Sequence, residues 1–168
     1  MTAAPTKPDE ALAALAAAGS AGLLAAAFLF QHVAGLPPCE LCIWQRWPHA
    51  VALGLGLLML SPALRRLRAL RVVGLLSMLT AAGLGLHHTG VERGWWEGPG
   101  ECAGGQAGDL STDALMDSIL GAPVVRCDEV AWSLLGLSMA SWQGLAALAL
   151  AGLWALSLRA QGSSSASQ

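Results

Sequence analysis

Residues 11–34 read ALAALAAAGSAGLLAAAFLFQHVA, a run with no charged side chain. As a helix rising 1.5 Å per residue it covers about 36 Å, and a bilayer core is about 30 Å thick. A helix in a soluble bundle needs a polar face at a period of 3.6. This run is apolar all round and predicts a membrane span. Working outward, three more uncharged runs follow at 47–64, 72–91 and 131–158. Together they predict an all-α membrane protein, a four-transmembrane-helix bundle forming a single domain over residues 1–160. Gly19, Gly22, Gly54, Gly56, Gly83 and Gly85 fall inside the runs, where small residues let helices approach closely in lipid. The Ser-rich stretch 161–168 reads as a disordered cytoplasmic tail.

Composition agrees. The chain of 168 residues is 55% hydrophobic and 12% charged, against about 25% charged in soluble domains. No basic surface suited to nucleic acid is evident. The net charge of −2 hides an uneven distribution. Arg65, Arg66, Arg68 and Arg71 share one short segment with no acid, whereas residues 92–130 hold eight acids against Arg93 and Arg126. The positive-inside rule places the Arg cluster in the cytoplasm. Both termini then face the cytoplasm, and the 35–46 and 92–130 loops lie outside. The first run is longer than the apolar region of a signal peptide, and cleavage there would invert the loop pattern.

Both outer loops carry cysteines: Cys39 and Cys42 in one, Cys102 and Cys127 in the other. An exterior compartment permits disulfides. Four cysteines allow three pairings, and sequence proximity favours Cys39–Cys42 with Cys102–Cys127. Pro37 and Pro38 force an extended entry and place Cys39 at the turn into the second helix. Cys42 then lies in or beside the first helical turn, where backbone N–H groups stabilise a thiolate. Arg46 follows one turn along the same face, with a charge that does not titrate away. Cys42 is therefore the reactive sulfur of its pair. Cys102 sits in a Gly-rich stretch, Gly98 to Gly105, which predicts a mobile loop open to a protein partner. No metal site is expected, because the CxxC lacks a second close pair.

His87 and His88 close the third run at the outer surface, level with Cys42 and Arg46. Histidine in a span is costly and often functional. Trp44, Trp47, Trp95 and Trp96 sit at the same level and read mainly as interfacial anchors. Residues 109–120 predict a short helix with Leu115, Ile119 and Leu120 on one side and Asp113 and Asp117 on another, an interfacial helix lying on the bilayer.

The stretch Pro37-Pro38-Cys39-Glu40-Leu41-Cys42-Ile43-Trp44-Gln45-Arg46-Trp47-Pro48 resembles the signature of the DsbB family, bacterial inner-membrane disulfide bond formation proteins. The likeness covers nearly the whole chain, including His-Thr at the end of the third run and Cys127-Asp128-Glu129 before the fourth. It implies a thiol:quinone oxidoreductase that reoxidises a periplasmic DsbA-type thiol oxidase and passes electrons to membrane ubiquinone or menaquinone. By position, Cys102 would join DsbA in a mixed disulfide, with Cys127 as its partner. Cys39 and Cys42 would be the pair reoxidised by quinone, with Cys42 touching the ring. Arg46 would support the quinone and its charge-transfer state with Cys42. His88, with His87 adjacent, would be the quinone-side histidine. Two rival readings are a paralogue serving another exported thiol partner and a non-enzymatic scaffold with two structural disulfides.

Overall fold

The computed structural model describes residues 7–99 and 125–166. Helix α1 spans Pro8–His32. Proline in the first turn costs no hydrogen bond, since that N–H has no helical partner. The helix stops because Gly35 adopts a left-handed φ of 66°, which lets the Leu36 N–H bond back to the Phe30 carbonyl at 3.0 Å. Pro37 and Pro38 then forbid another turn. Helix α2 spans Glu40–Leu58, with Cys39 as its N-cap. Helix α3 spans Arg68–Glu92 and ends as α1 does. Gly94 takes a φ of 67°, and the Trp95 N–H reaches the Gly90 carbonyl at 2.8 Å.

A two-stranded hairpin follows, β1 (Ser133–Leu134) against β2 (Leu137–Ser138). It leads into α4, Met139–Ala166. Ser138 caps that helix by accepting the Ser141 N–H at 3.2 Å. The four helices close a ring: α1 on α2, α2 on α3, α3 on α4, and α4 back on α1.

The boundaries differ from the sequence expectation in three places. The fourth helix begins at Met139, not near 131. Leu135 and Gly136 take φ values of 53° and 78°, a tight hairpin turn that apolar composition conceals. At the other end α4 runs to Ala166, into the stretch read as disordered, where Gln161 Nε2 donates to the Arg66 carbonyl at 2.8 Å. Third, α1, α3 and α4 are long and apolar enough to cross a membrane, but α2 is not among them. Its first three turns carry Glu40, Gln45, Arg46 and His49, which lower its hydropathy. The interfacial helix expected at 109–120 lies outside the described residues.

The core is built from small side chains. Ala13, Ala16, Ala17, Ala52, Ala81, Ala147 and Ala151 are buried around Met78 and Trp154, whereas Leu15, Leu29, Leu57, Leu76, Leu86 and Leu148 point outward. This is the packing of helices whose outer surface meets lipid, where close backbone approach replaces the hydrophobic drive. A Cβ on Gly85 would come within 2.6 Å of both the Gly144 Cα and Gln143 Oε1, so α3 and α4 meet there with backbone close to backbone. Gly22, Gly54 and Gly83 face open space and take no part.

One end of the bundle is clamped. Arg71 is fully buried. Its guanidinium donates to Asp9 Oδ2 at 2.8 Å, Ser157 Oγ at 2.9 Å and the Arg65 carbonyl at 2.7 Å. Ser157 Oγ donates in turn to the Asp9 carbonyl at 2.6 Å. One cation therefore ties the starts of α1 and α3 to the end of α4. Removing one partner strands a buried charge, typically at about 3–5 kcal/mol, whereas an apolar replacement of the pair is far better tolerated. Asp9→Ala is expected to destabilise the bundle by that amount, and Asp9→Leu with Arg71→Met to recover much of it, in denaturant unfolding of the detergent-solubilised protein. Equal stability of Asp9→Ala and wild type would refute the clamp.

Candidate active site

The site forms where α2 begins. The turn at Gly35 and the two prolines deliver Cys39 in an extended conformation at the N-cap. Its sulfur accepts the Cys42 N–H at 3.3 Å. One helical turn brings the two sulfurs to 2.9 Å, with Cys39 donating to Cys42 Sγ. The pair is held as free thiols. A disulfide requires about 2.05 Å, so closure needs a sulfur movement of about 1 Å and no backbone rearrangement.

The two sulfurs are electrostatically unequal. Cys42 is pulled down from the ordinary thiol value to about 7. The main cause is the Cys39 thiol donating to it. Burial opposes this, and Arg46 adds a favourable charge that Glu92 partly offsets. Cys39 is pushed up, chiefly because it holds the shared proton for Cys42 and is buried. Arg46 is itself fixed by α1. It donates to Gln31 Oε1 at 2.6 Å and lies over the Phe28 ring at 5.1 Å.

Helix α3 contributes His88, buried, with Nε2 3.6 Å from Cys39 Sγ. Gln45 Nε2 lies 3.3 Å from His88 Nδ1 and donates to the Leu84 carbonyl at 3.3 Å. His87, one residue earlier, faces elsewhere and stacks on Trp96 at 5.7 Å. Cys127 is completely buried and packs in one cluster with Cys39, Leu41 and Val91. It is disulfide-bonded. Cys102, and with it the expected Cys102–Cys127 pairing, lies outside the described residues.

A cavity of about 390 Å³ opens beside Cys42, Arg46 and His88. Its walls are mostly apolar, from Leu23, Ala27, Phe30, Trp132 and Ala146, and His49 and Gln143 also line it. Trp44, Trp47, Trp95 and Trp96 line none of it and are exposed, as interfacial anchors would be. His49 belongs to a buried relay. Gln143 Nε2 lies 3.0 Å from His49 Nε2, His49 Nδ1 lies 3.5 Å from Ser20 Oγ, and Ser20 donates to Met78 Sδ at 3.6 Å. Each of the four helices supplies one member.

Cys39, Cys42, Arg46 and His88 thus meet, while His87 stays apart. Gln45, Gln31 and Phe28 escaped the sequence reading. Gln45 carried a signal, since it sits one turn after Cys42 and beside Arg46. Gln31 and Phe28 carried none, because only the bundle brings α1 to the α2 terminus. The sulfurs and His88 Nε2 also lie within 4.8 Å of one another, the beginnings of a thiolate–imidazole metal set.

The profile of the family described as disulfide bond formation protein DsbB matches residues 9–157. A disulfide bond formation protein B from Marinobacter nauticus is 36% identical over 132 residues, 73% of this chain and 75% of the relative. One from Aromatoleum aromaticum is 34% identical over 149 residues, 84% and 86%. One from Azoarcus sp. is 36% identical over 149 residues, 81% and 85%. No solved structure matches significantly.

Since the thiolate is the nucleophile, alkylation of Cys42 should accelerate as pH rises through about 7. Below that value the sulfur holds its proton and slows. Cys39→Ala should move the midpoint upward most, because its hydrogen bond is the largest cause, and Arg46→Met should move it less. Rates of iodoacetamide labelling against pH read both shifts, and an unmoved midpoint in Cys39→Ala would overturn the assignment.

Proposed function

This chain belongs to the DsbB family of disulfide bond formation proteins, and we propose that it is a thiol:quinone oxidoreductase that reoxidises a periplasmic DsbA-type thiol oxidase. The observation that carries this reading is a free Cys39–Cys42 dithiol. It opens on one side to an apolar cavity and packs on the other against the disulfide-bonded Cys127. A scaffold with two structural staples would have no use for unpaired, unequal thiols beside a cavity. In this reading the chain crosses the inner membrane four times, through α1, α2, α3 and α4. Both termini are cytoplasmic and both cysteine loops periplasmic, the second carrying the interfacial helix.

A DsbA-type protein is a strong oxidant, near about −120 mV, so its reoxidation needs a stronger electron sink. A bound ubiquinone or menaquinone supplies one, taking two electrons and two protons to become the hydroquinone. The cavity suits such a ring, with apolar walls and with Arg46 and His88 lining it beside the cysteines. The residues divide the work as follows. A DsbA thiolate attacks Cys102 of the Cys102–Cys127 disulfide and expels the Cys127 thiolate; the second DsbA thiol then attacks the DsbA sulfur of that mixed disulfide, closing the DsbA disulfide and releasing Cys102 as a thiol. The resulting Cys102–Cys127 dithiol reduces the Cys39–Cys42 disulfide by thiol exchange, regaining its own bond. The Cys39–Cys42 dithiol gives up two electrons and two protons at the cavity and closes again. In the reduced pair the Cys39 thiol and Arg46 favour the Cys42 thiolate, and Cys39, beside Cys127, makes the link between the pairs.

Purified protein with added quinone should oxidise reduced DsbA catalytically, and Cys42→Ser should reduce turnover to background. Organic extraction of protein purified from membranes should yield a quinone. Normal turnover by Cys42→Ser would exclude this site.

A further inference from the structure

We propose that Gln45 is a positioning residue that fixes the tautomer of His88, so that Nε2–H is presented to Cys39 and a metal ion is turned away from the dithiol. The argument starts from acceptors that have no choice. The Leu84 carbonyl can only accept, so the Gln45 atom 3.3 Å from it is the amide nitrogen. That same nitrogen lies 3.3 Å from His88 Nδ1. A neutral imidazole has one donor and one acceptor, so Nδ1 accepts and the ring proton sits on Nε2. Gln45 and His88 are both buried, so water does not substitute for these partners.

The Nε2–H then faces Cys39 Sγ at 3.6 Å. Each sulfur thus has its own stabiliser. Cys42 has the Cys39 thiol and Arg46, while Cys39 has the His88 N–H and the Cys42 main-chain N–H. A donor at the Cys39 sulfur is useful when Cys39 carries negative charge as leaving or attacking group in exchange with the second pair. This role rests on the reading that the two pairs exchange, but the tautomer does not.

The same proton blocks a metal. Cys39, Cys42 and His88 Nε2 sit close enough to bind a thiophilic cation. Binding through Nε2 requires the proton to move to Nδ1 and to find an acceptor there. Gln45, pinned as a donor by Leu84, offers none. A reduced dithiol facing the periplasm is thereby kept from forming a thiolate–imidazole zinc site.

The test uses full-length reduced protein in detergent micelles, nitrogen-15 labelled at histidine, with the His88 signal assigned by its loss in His88→Phe. Wild type should show a protonated Nε2 and an unprotonated Nδ1. Gln45→Leu should lose the single tautomer. Gln45→Glu should reverse it, since a carboxylate accepts from Nδ1–H. Zinc affinity, measured by competition with a chromophoric chelator, should rise about 10-fold or more in Gln45→Glu, the usual scale for an outer-shell partner of a ligating histidine. A protonated Nδ1 in wild type, or an unchanged tautomer in Gln45→Leu, overturns the proposal whether or not the protein turns over. Single-turnover exchange with reduced DsbA should slow about 10-fold in Gln45→Leu. If the tautomers behave as expected while no exchange occurs in wild type, the functional reading fails and the positioning role stands.

Discussion

One sulfur atom does two jobs at the start of α2. Cys39 Sγ accepts the Cys42 N–H and so caps the helix, and it is also half of the dithiol. The cap fixes where the helix starts, and the start fixes the phase of everything after it. Cys42, Gln45, Arg46 and His49 recur at spacings of three and four, the interval that keeps side chains on one face. That face meets α1 through Gln31 and Phe28 and α3 through His88 and Leu84. A helix beginning one residue later would rotate the stripe by about 100° and separate these partners.

The bundle accommodates this polar stripe by keeping everything else small. Alanines fill the interior, the larger leucines turn outward, and Gly85 meets Gly144 backbone to backbone. Helices this close leave little free volume, so a cavity of about 390 Å³ beside the cysteines stands out. It lies where α2 carries Gln45, Arg46 and His49, side chains held by hydrogen bonds to neighbouring helices.

The sequence showed much of this where the signal was local. Runs of uncharged residues marked α1, α3 and α4, and Cys39, Cys42 and Arg46 announced themselves by spacing within a single turn. Charge asymmetry yields an expected orientation for the loops but misses what Arg71 does, because a cluster count treats a buried, triply bonded arginine like an exposed one. The hairpin at 133–138 was hidden for a related reason: its leucines look like span residues, and only φ reveals the turn at Leu135. The partners of Arg46 and His88 were invisible because they join residues 15 and 43 positions apart or more distant still. Histidine choice shows the limit most clearly. His87 and His88 are adjacent and chemically identical, yet about 100° of helical rotation sends one to Trp96 and the other to Cys39.

The Arg71 clamp and the cysteine pair stand at opposite ends of the same helices. Arg71 is near the first residue of α3 and His88 near its last, and Asp9 opens α1 while Gln31 all but closes it. Such an arrangement is mechanically a pair of tongs. With the handles joined by a buried cation, the helices can differ in tilt but not slide past one another. A small change in splay moves the far tips most, and the tips carry the imidazole, the guanidinium and the cavity mouth. Any change in splay would therefore alter the mouth of the cavity more than the end that Arg71 holds.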